Sequence, residues 1–350
     1  MKAIIWTVCI LASVSASAVA DTIYTVTDLG SVDGTYAYNF GINSGGQIAG
    51  GDHLSRACLY SNGSIQNLGS LGGFTSWAYG INDSGQMAGV AQNGSSKDRP
   101  FLYSNGTIHD LGTLGGTYGA ANGINNAGQV VGYAAGSGDL YTHAFLYSNG
   151  SMQDLGTLGG NNSQASAINS NEHVTGWSQK GTIHAFLYSG GSMQDVGAMN
   201  GRPTYAYGIN DSDEIVGYWS NSSNQARAFL YSGGFHDLGT LGGKTSTALD
   251  IDNDGDIVGW SYTSDLNAPT HAFLYSGGSM QDLNSLIGPN SGWTLENASA
   301  INGTGQIVGY GTHAGNEYEA FLLTPTPTPE PSTIVLLISG VSVLLFRRKK

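Results

Sequence analysis

Between residues 22 and 323 short apolar stretches alternate with turn residues, and one arrangement of them returns seven times. A unit reads Gly-Ile-Asn-x-x-Gly-Gln-Ile-Val-Gly, a variable stretch, then His-Ala-Phe-Leu-Tyr-Ser-Asn-Gly-Ser-Met-Gln-Asp-Leu-Gly-Thr-Leu-Gly-Gly. The Ile-Asn pair starts at Ile42, Ile81, Ile124, Ile168, Ile209, Ile251 (with Asp252 for Asn) and Ile301. Phe-Leu-Tyr elements centre on Leu59, Leu102, Leu146, Leu187, Leu230, Leu274 and Leu322. Asp-Leu-Gly elements centre on Leu29, Leu68, Leu111, Leu155, Val196, Leu238 and Leu283. A period in the low forties points to propeller blades.

Each unit has room for four short strands. In the third copy they fall at Tyr118–Ile124, Gln129–Tyr133, Ala144–Tyr147 and Ser151–Leu155. Asn149-Gly150 predicts a type I′ hairpin, because both central residues need positive φ. Asn62-Gly63, Asn105-Gly106, Gly190-Gly191, Gly233-Gly234 and Gly277-Gly278 repeat that signal. No helical period is sustained, so the chain is all-β.

The repeat is out of step with the chain ends. A lone Asp-Leu-Gly strand (Thr22–Leu29) starts the series and a lone Phe-Leu-Leu strand (Glu319–Leu323) closes it. Both are accommodated if the N-terminal strand completes the last blade and closes the ring, hiding two sheet edges. The expectation is a seven-bladed β-propeller of four-stranded blades spanning 21–323.

The flanks read as addressing segments. Residues 1–20 carry Lys2, an apolar run and Ala18-Val19-Ala20, the pattern of a signal peptide. Residues 324–331 form a Thr/Pro spacer ending in Pro329-Glu330-Pro331, and 332–350 an apolar run closed by Arg347-Arg348-Lys349-Lys350. Thirteen apolar residues span about 20 Å as a helix against a bilayer core of roughly 30 Å, so a short sorting helix is expected to hold the chain in the membrane before processing.

Composition sharpens this picture. Lys2 and the four C-terminal cations leave 7 Lys and Arg against 24 Asp and Glu in the body, a net charge of −17. Such a surface cannot neutralise a run of phosphates, so nucleic acid is excluded as a partner. With Cys9 in the signal peptide, Cys58 is alone and stands where other units have Phe, as a small buried hydrophobe.

Two resemblances follow from these motifs. Pro329-Glu330-Pro331, the short hydrophobic helix and Arg347-Arg348 resemble a PEP-CTERM sorting signal. That implies a Gram-negative exopolysaccharide producer, an exosortase-type processing enzyme as partner, and a place in the cell envelope or extracellular matrix. The repeat resembles the HAF family of extracellular repeat proteins through His143-Ala144-Phe145, His184-Ala185-Phe186 and His271-Ala272-Phe273. It implies an extracellular propeller-like domain and no particular activity.

Candidate chemistry is sparse. The three repeated histidines face in step around a ring, whereas a zinc site needs ligands converging to roughly 2.0–2.1 Å. Asp250-Ile251-Asp252-Asn253-Asp254-Gly255-Asp256 offers Asp250, Asp252, Asp254 and Asp256 as oxygen ligands for calcium. The same stretch aligns with the Ile-Asn turn of every unit, where such residues satisfy a tight turn. Otherwise no cofactor is expected. Asp110, Asp154, Asp195, Asp237 and Asp282 recur as turn or strand-end residues. Asp139, Asp265, Glu296 and Glu317 break the repeat without a visible catalytic partner, so an enzyme is not expected.

Variation and aromatic residues collect together. Loops after second and fourth strands share one face of the disc, and the former vary: Val90–Asp98, Tyr133–Thr142, Tyr218–Ala226, Trp260–Thr270 and Tyr310–Tyr318. Tyr141, Trp177, Trp219, Trp260, Tyr262 and Tyr318 are the candidate ligand-binding residues. Such a face suits stacking on exopolysaccharide or docking a surface protein. The alternatives are a self-associating matrix or surface-layer component, and a hydrolase built on unrepeated carboxylates.

Overall fold

The hairpins that punctuate each unit form as the sequence dictates. The computed structural model describes residues 24–31, 40–265 and 269–326. Within them Asn149 and Gly150 have φ of 53° and 80°, and the other Asn-Gly and Gly-Gly pairs repeat this except at Gly233-Gly234. There Gly233 alone is left-handed, and the Ser232 N–H donates to the Gly234 carbonyl at 3.1 Å.

These hairpins build seven four-stranded antiparallel sheets, a seven-bladed propeller. Blades 1 to 6 occupy 41–67, 72–110, 115–154, 163–197, 204–239 and 242–282, each with its strands in sequence order. Blade 7 takes Trp293–Ile301, Ile307–His313 and Asn316–Pro325, and Tyr24–Ser31 pairs antiparallel with the last of these. The closing ladder runs from Tyr24 opposite Pro325 to Ser31 opposite Glu319, so it extends two residues into the stretch read as spacer. The sorting motif at Pro329, Glu330, Pro331, Arg347 and Arg348 lies outside the described residues.

One contact repeats through the core. Phe101, Phe145, Phe186, Phe229, Phe273 and Phe321 are fully buried, each opposite the Gly of the preceding strand. A Cβ at Gly89 would strike the Trp77 carbonyl oxygen and press on the Phe101 ring, which explains the glycine. Each such Phe contributes roughly 2–3 kcal/mol of burial. Blade 1 departs from this scheme. Cys58 sits opposite Gly50, and the Phe40 ring covers that glycine, 2.7 Å from where a Cβ would stand. Burial pushes the Cys58 thiol up to about 12.

Polar residues tie the strands and blades. The repeated Asp caps its turn and holds the side chain at the His position: His143 with Asp154 at 2.9 Å, His184 with Asp195 at 2.9 Å, His271 with Asp282 at 2.6 Å. Arg99 and Arg227 do the same with Asp110 and Asp237. In blade 1, where Asn67 replaces Asp, Arg56 turns to Asp52 instead.

A second set runs around the axis. The Asn43, Asn82, Asn125, Asn169 and Asn210 amides each donate to the matching backbone carbonyl of the next blade, at 2.9–3.2 Å. Asn302 closes the circle onto Asn43. Only the step from blade 6 to blade 7 lacks this bond among the described residues, because Asp252 has no amide to donate.

Candidate functional site: the axial funnel

The first strand of each blade lines the axis, and in blades 2 to 7 it is bent by a β-bulge. Register shifts leave Tyr79, Asn122, Ser166, Tyr207, Leu249 and Ser299 as extra residues in blades 2 to 7. A bulge re-aims the inserted side chain, and here all six line one cavity of ≈ 1610 Å³. Phe40 takes the corresponding place in blade 1. Blade 7 has a second bulge, at Glu296, which also lines the cavity.

The mouth is built by three blades. Three aromatic pairs line the cavity on this side: Tyr207 with Tyr218 at 5.8 Å, Trp260 with Tyr262 at 6.1 Å, and Tyr318 with the buried Tyr310 at 6.0 Å. Ser220, Asn224 and Gln225 of blade 5 and Pro269 and Thr270 of blade 6 complete the rim. A cavity of ≈ 260 Å³ lies at the opposite end, among the Ile-Asn turns. Ile81, Ile124, Ile168 and Ile209 line both and stand between them.

Of the six aromatics expected to bind ligand, the funnel gathers Trp260, Tyr262 and Tyr318. Tyr262 and Tyr318 are exposed. Trp219 is 9% exposed and packs with Ile209, Ile215 and Phe229 between blades, because its strand position points into the core. Trp177 packs edge-on against Tyr205 at 6.0 Å, and Tyr205 stacks on Tyr218 at 4.9 Å. Trp177 therefore supports the rim from behind. Tyr141 lies over Gly136 and against His143, away from the funnel.

The proposed calcium ligands do not converge. Asp252 Oδ1 accepts the N–H groups of Asp254 and Asp256, the turn role that Asn plays in the other blades. Asp250 points the other way, accepting from Ile251 N–H at 2.9 Å and from Ile301 N–H at 3.0 Å. Among the described residues no three His, Cys, Asp or Glu come together as a metal group.

Asp250 occupies a place held by Gly or Ala in the other blades, and it lines the funnel. Burial pushes its carboxyl up to about 7. Burial also raises Asp252. Glu296 accepts from the Thr312 hydroxyl at 2.6 Å. Sequence reasoning missed Tyr207, Asp250 in this role, and the bulge residues. The available signal was one variable position between constant small residues, as in Ala78-Tyr79-Gly80 and Ala206-Tyr207-Gly208.

Fold and site together define a closed seven-bladed propeller with an acidic, aromatic-rimmed axial funnel. No family model matches the chain, and no curated protein matches it. Among solved structures it is similar to the propeller domain of the Trilobed protease from Pyrococcus furiosus, at 10% identity and TM-score 0.48, covering 70% of this chain and 80% of that one. It is also similar to a gluconolactonase from Xanthomonas campestris, at 11% identity and TM-score 0.47, covering 89% and 93%. A puromycin-hydrolysing peptidase of Mycobacterium tuberculosis gives 12% identity and TM-score 0.48, covering 75% of this chain. The chain matches 47% of that peptidase, about half its length. These likenesses are of architecture alone.

Proposed function

We propose that this chain is an exported, non-catalytic envelope protein that binds saccharide in the axial funnel. The observation that carries the reading is the mouth: three aromatic pairs from blades 5, 6 and 7 around a cavity of ≈ 1610 Å³. That exceeds the roughly 300–1,000 Å³ of ordinary small-molecule clefts, and so suits an oligomer. Flat rings beside Asn, Gln, Ser and Thr side chains match the apolar faces and hydroxyl edges of sugars. Export and exosortase processing rest on the end segments and on the HAF and PEP-CTERM resemblances.

Hydrolysis is the second reading, favoured by two carboxylates, Asp250 and Glu296, in one cavity. Against it, both Asp250 oxygens accept backbone N–H groups, which ties the carboxyl into the wall between two blades. The described lining holds no His, Cys, Lys or Arg to serve as nucleophile or base.

A glycan array with the purified full chain tests both readings. Saturable binding that is lost in Trp260→Ala and Tyr262→Ala, with glycan length unchanged after incubation, is the expected result. Shortened products that disappear in Glu296→Gln establish the hydrolase instead. Assembly that depends on protein concentration, with no glycan bound, favours a structural matrix component.

A further inference from the structure

Blade 7 departs from the other six in how its second strand is paired. In blades 1 to 6 the ladder between second and third strands runs without a break. In blade 7 Gly311 faces Glu319 and His313 faces Asn316, so Glu317 and Tyr318 together oppose Thr312. On the other side of the same strand, Glu296 is inserted between Leu295 and Asn297, which face Gly311 and Tyr310. Two bulges therefore flank residues 310–312, and a bulge re-aims a side chain.

The side chains they deliver stand together on the funnel wall. Glu296, Tyr310, Thr312 and Tyr318 all line the cavity. Glu296 is half-buried, and its Oε1 accepts from the Thr312 hydroxyl at 2.6 Å. Tyr318 lies across from that same Thr312, its exposed ring 6.0 Å from the buried Tyr310 ring. The Tyr318 φ is 60°, in the left-handed region that glycine enters freely and a bulky residue enters only under strain. Strain of this kind collects at ligand-binding positions.

We propose that Tyr318 and Glu296 form a subsite for a neutral, β-linked gluco-type sugar, its apolar ring face on Tyr318 and two neighbouring hydroxyls donating to the Glu296 carboxylate. This rests on the saccharide reading above and names the sugar class. Stacking needs a pyranose with a flat C–H face, which equatorial substituents provide. A carboxylate accepts and cannot donate, so it selects hydroxyl-bearing edges, and the Thr312 bond leaves it further acceptor sites. An acidic sugar would bring its charge against Glu296, and no described lining residue is a cation that could offset the two. The His271 imidazole is held in its charged form first by Asp282, at 2.6 Å, and more weakly by Glu296, so its charge is already matched.

Calorimetric titration of the purified full chain with cellotetraose, its 2,3-di-O-methyl derivative and a β-1,4-linked glucuronate tetramer tests this. Cellotetraose is expected to bind, and the other two at least about ten-fold more weakly. Tyr318→Gly should lose at least about ten-fold in affinity while its melting temperature holds or rises, because the backbone strain is relieved. Tyr318→Phe keeps the ring and should bind as the parent does. Glu296→Gln keeps an acceptor for Thr312 and should weaken cellotetraose about ten-fold while narrowing its advantage over the glucuronate tetramer. Parent-like binding by Tyr318→Gly, with Trp260→Ala inactive, overturns the subsite and leaves the saccharide reading standing. A lowered melting temperature beside the lost binding of Tyr318→Gly also overturns it, since the ring would then be structural. Capture of another glycan on an array, with none of cellotetraose, overturns the subsite alone. Binding of no glycan at all removes both.

Discussion

Asp250 Oδ2 accepts the backbone N–H of Ile301 in the next blade, at 3.0 Å. This bond lies at the step of the ring where Asp252 cannot supply the amide that Asn supplies elsewhere. A half-buried carboxyl therefore joins blades 6 and 7, and its position on the funnel ties blade cohesion to its state of protonation.

A pH dependence follows. Burial raises the Asp250 carboxyl to about 7 from the ordinary 3.8. Across that window the folded chain holds a proton that the unfolded chain has released, so stability falls as pH rises through it. The effect is on the order of 2 kcal/mol, reduced by the solvent the funnel admits. Asp250→Asn keeps an acceptor for Ile301 and removes the charge. Thermal melts should show the variant losing less stability than the parent between pH about 5 and about 8; parallel curves would contradict this.

The amide ring predicts a stabilising change one turn away. Asp252→Asn restores a donor for the backbone carbonyl of Asn302 and should add about 1 kcal/mol in urea denaturation at neutral pH. Asn82→Asp is the reverse experiment. Asn82 Nδ2 donates to the Asn125 carbonyl at 3.1 Å and to Gln86 at 2.8 Å. Losing both should cost about 2–4 kcal/mol. Destabilisation by Asp252→Asn would refute the ring argument.

Blade 1 predicts a coupled pair. Phe40→Ala empties the space over Gly50 and should cost about 3–5 kcal/mol. Cys58→Phe alone overpacks the same space and should cost about 1–3 kcal/mol. The double variant should be more stable than the sum of the two changes implies, a coupling of about 1 kcal/mol or more in the cycle. Simple additivity would mean that the two side chains do not share one site.

Core and rim aromatics should separate cleanly. Trp219→Ala leaves a cavity between blades and should cost about 3–5 kcal/mol. Tyr262, 43% exposed, should shift stability by less than about 0.5 kcal/mol as Ala while abolishing glycan capture. Comparing melting temperature with glycan binding for the two variants checks this. Normal stability of Trp219→Ala would place that ring outside the core.

Much of this was legible because repetition makes local rules explicit. The Asn-Gly turns demanded left-handed residues, and Asn149 and Gly150 adopt them. The unmatched Asp-Leu-Gly strand required a partner, and Tyr24–Ser31 pairs with Asn316–Pro325. The funnel was less legible. Trp177 and Trp260 are equivalent along their second strands, each opposite the Ala of the next strand, yet one supports the rim and the other lines the cavity. Neighbouring blades differ in what they pack against each position, and periodicity carries no record of that.

Strand order, blade number and ring closure were determined by the sequence itself, because each depends on local turn chemistry and on counting paired edges. Which side chains reach the axis was decided only by tertiary structure. A bulge inserts one residue and rotates its side chain toward the axis, and the approach of adjacent first strands then buries Asp250. Glu296 and Asn297, adjacent in sequence, come to line the same cavity as Asp250, more than forty residues away, only because the first strands of blades 6 and 7 pack side by side around the axis.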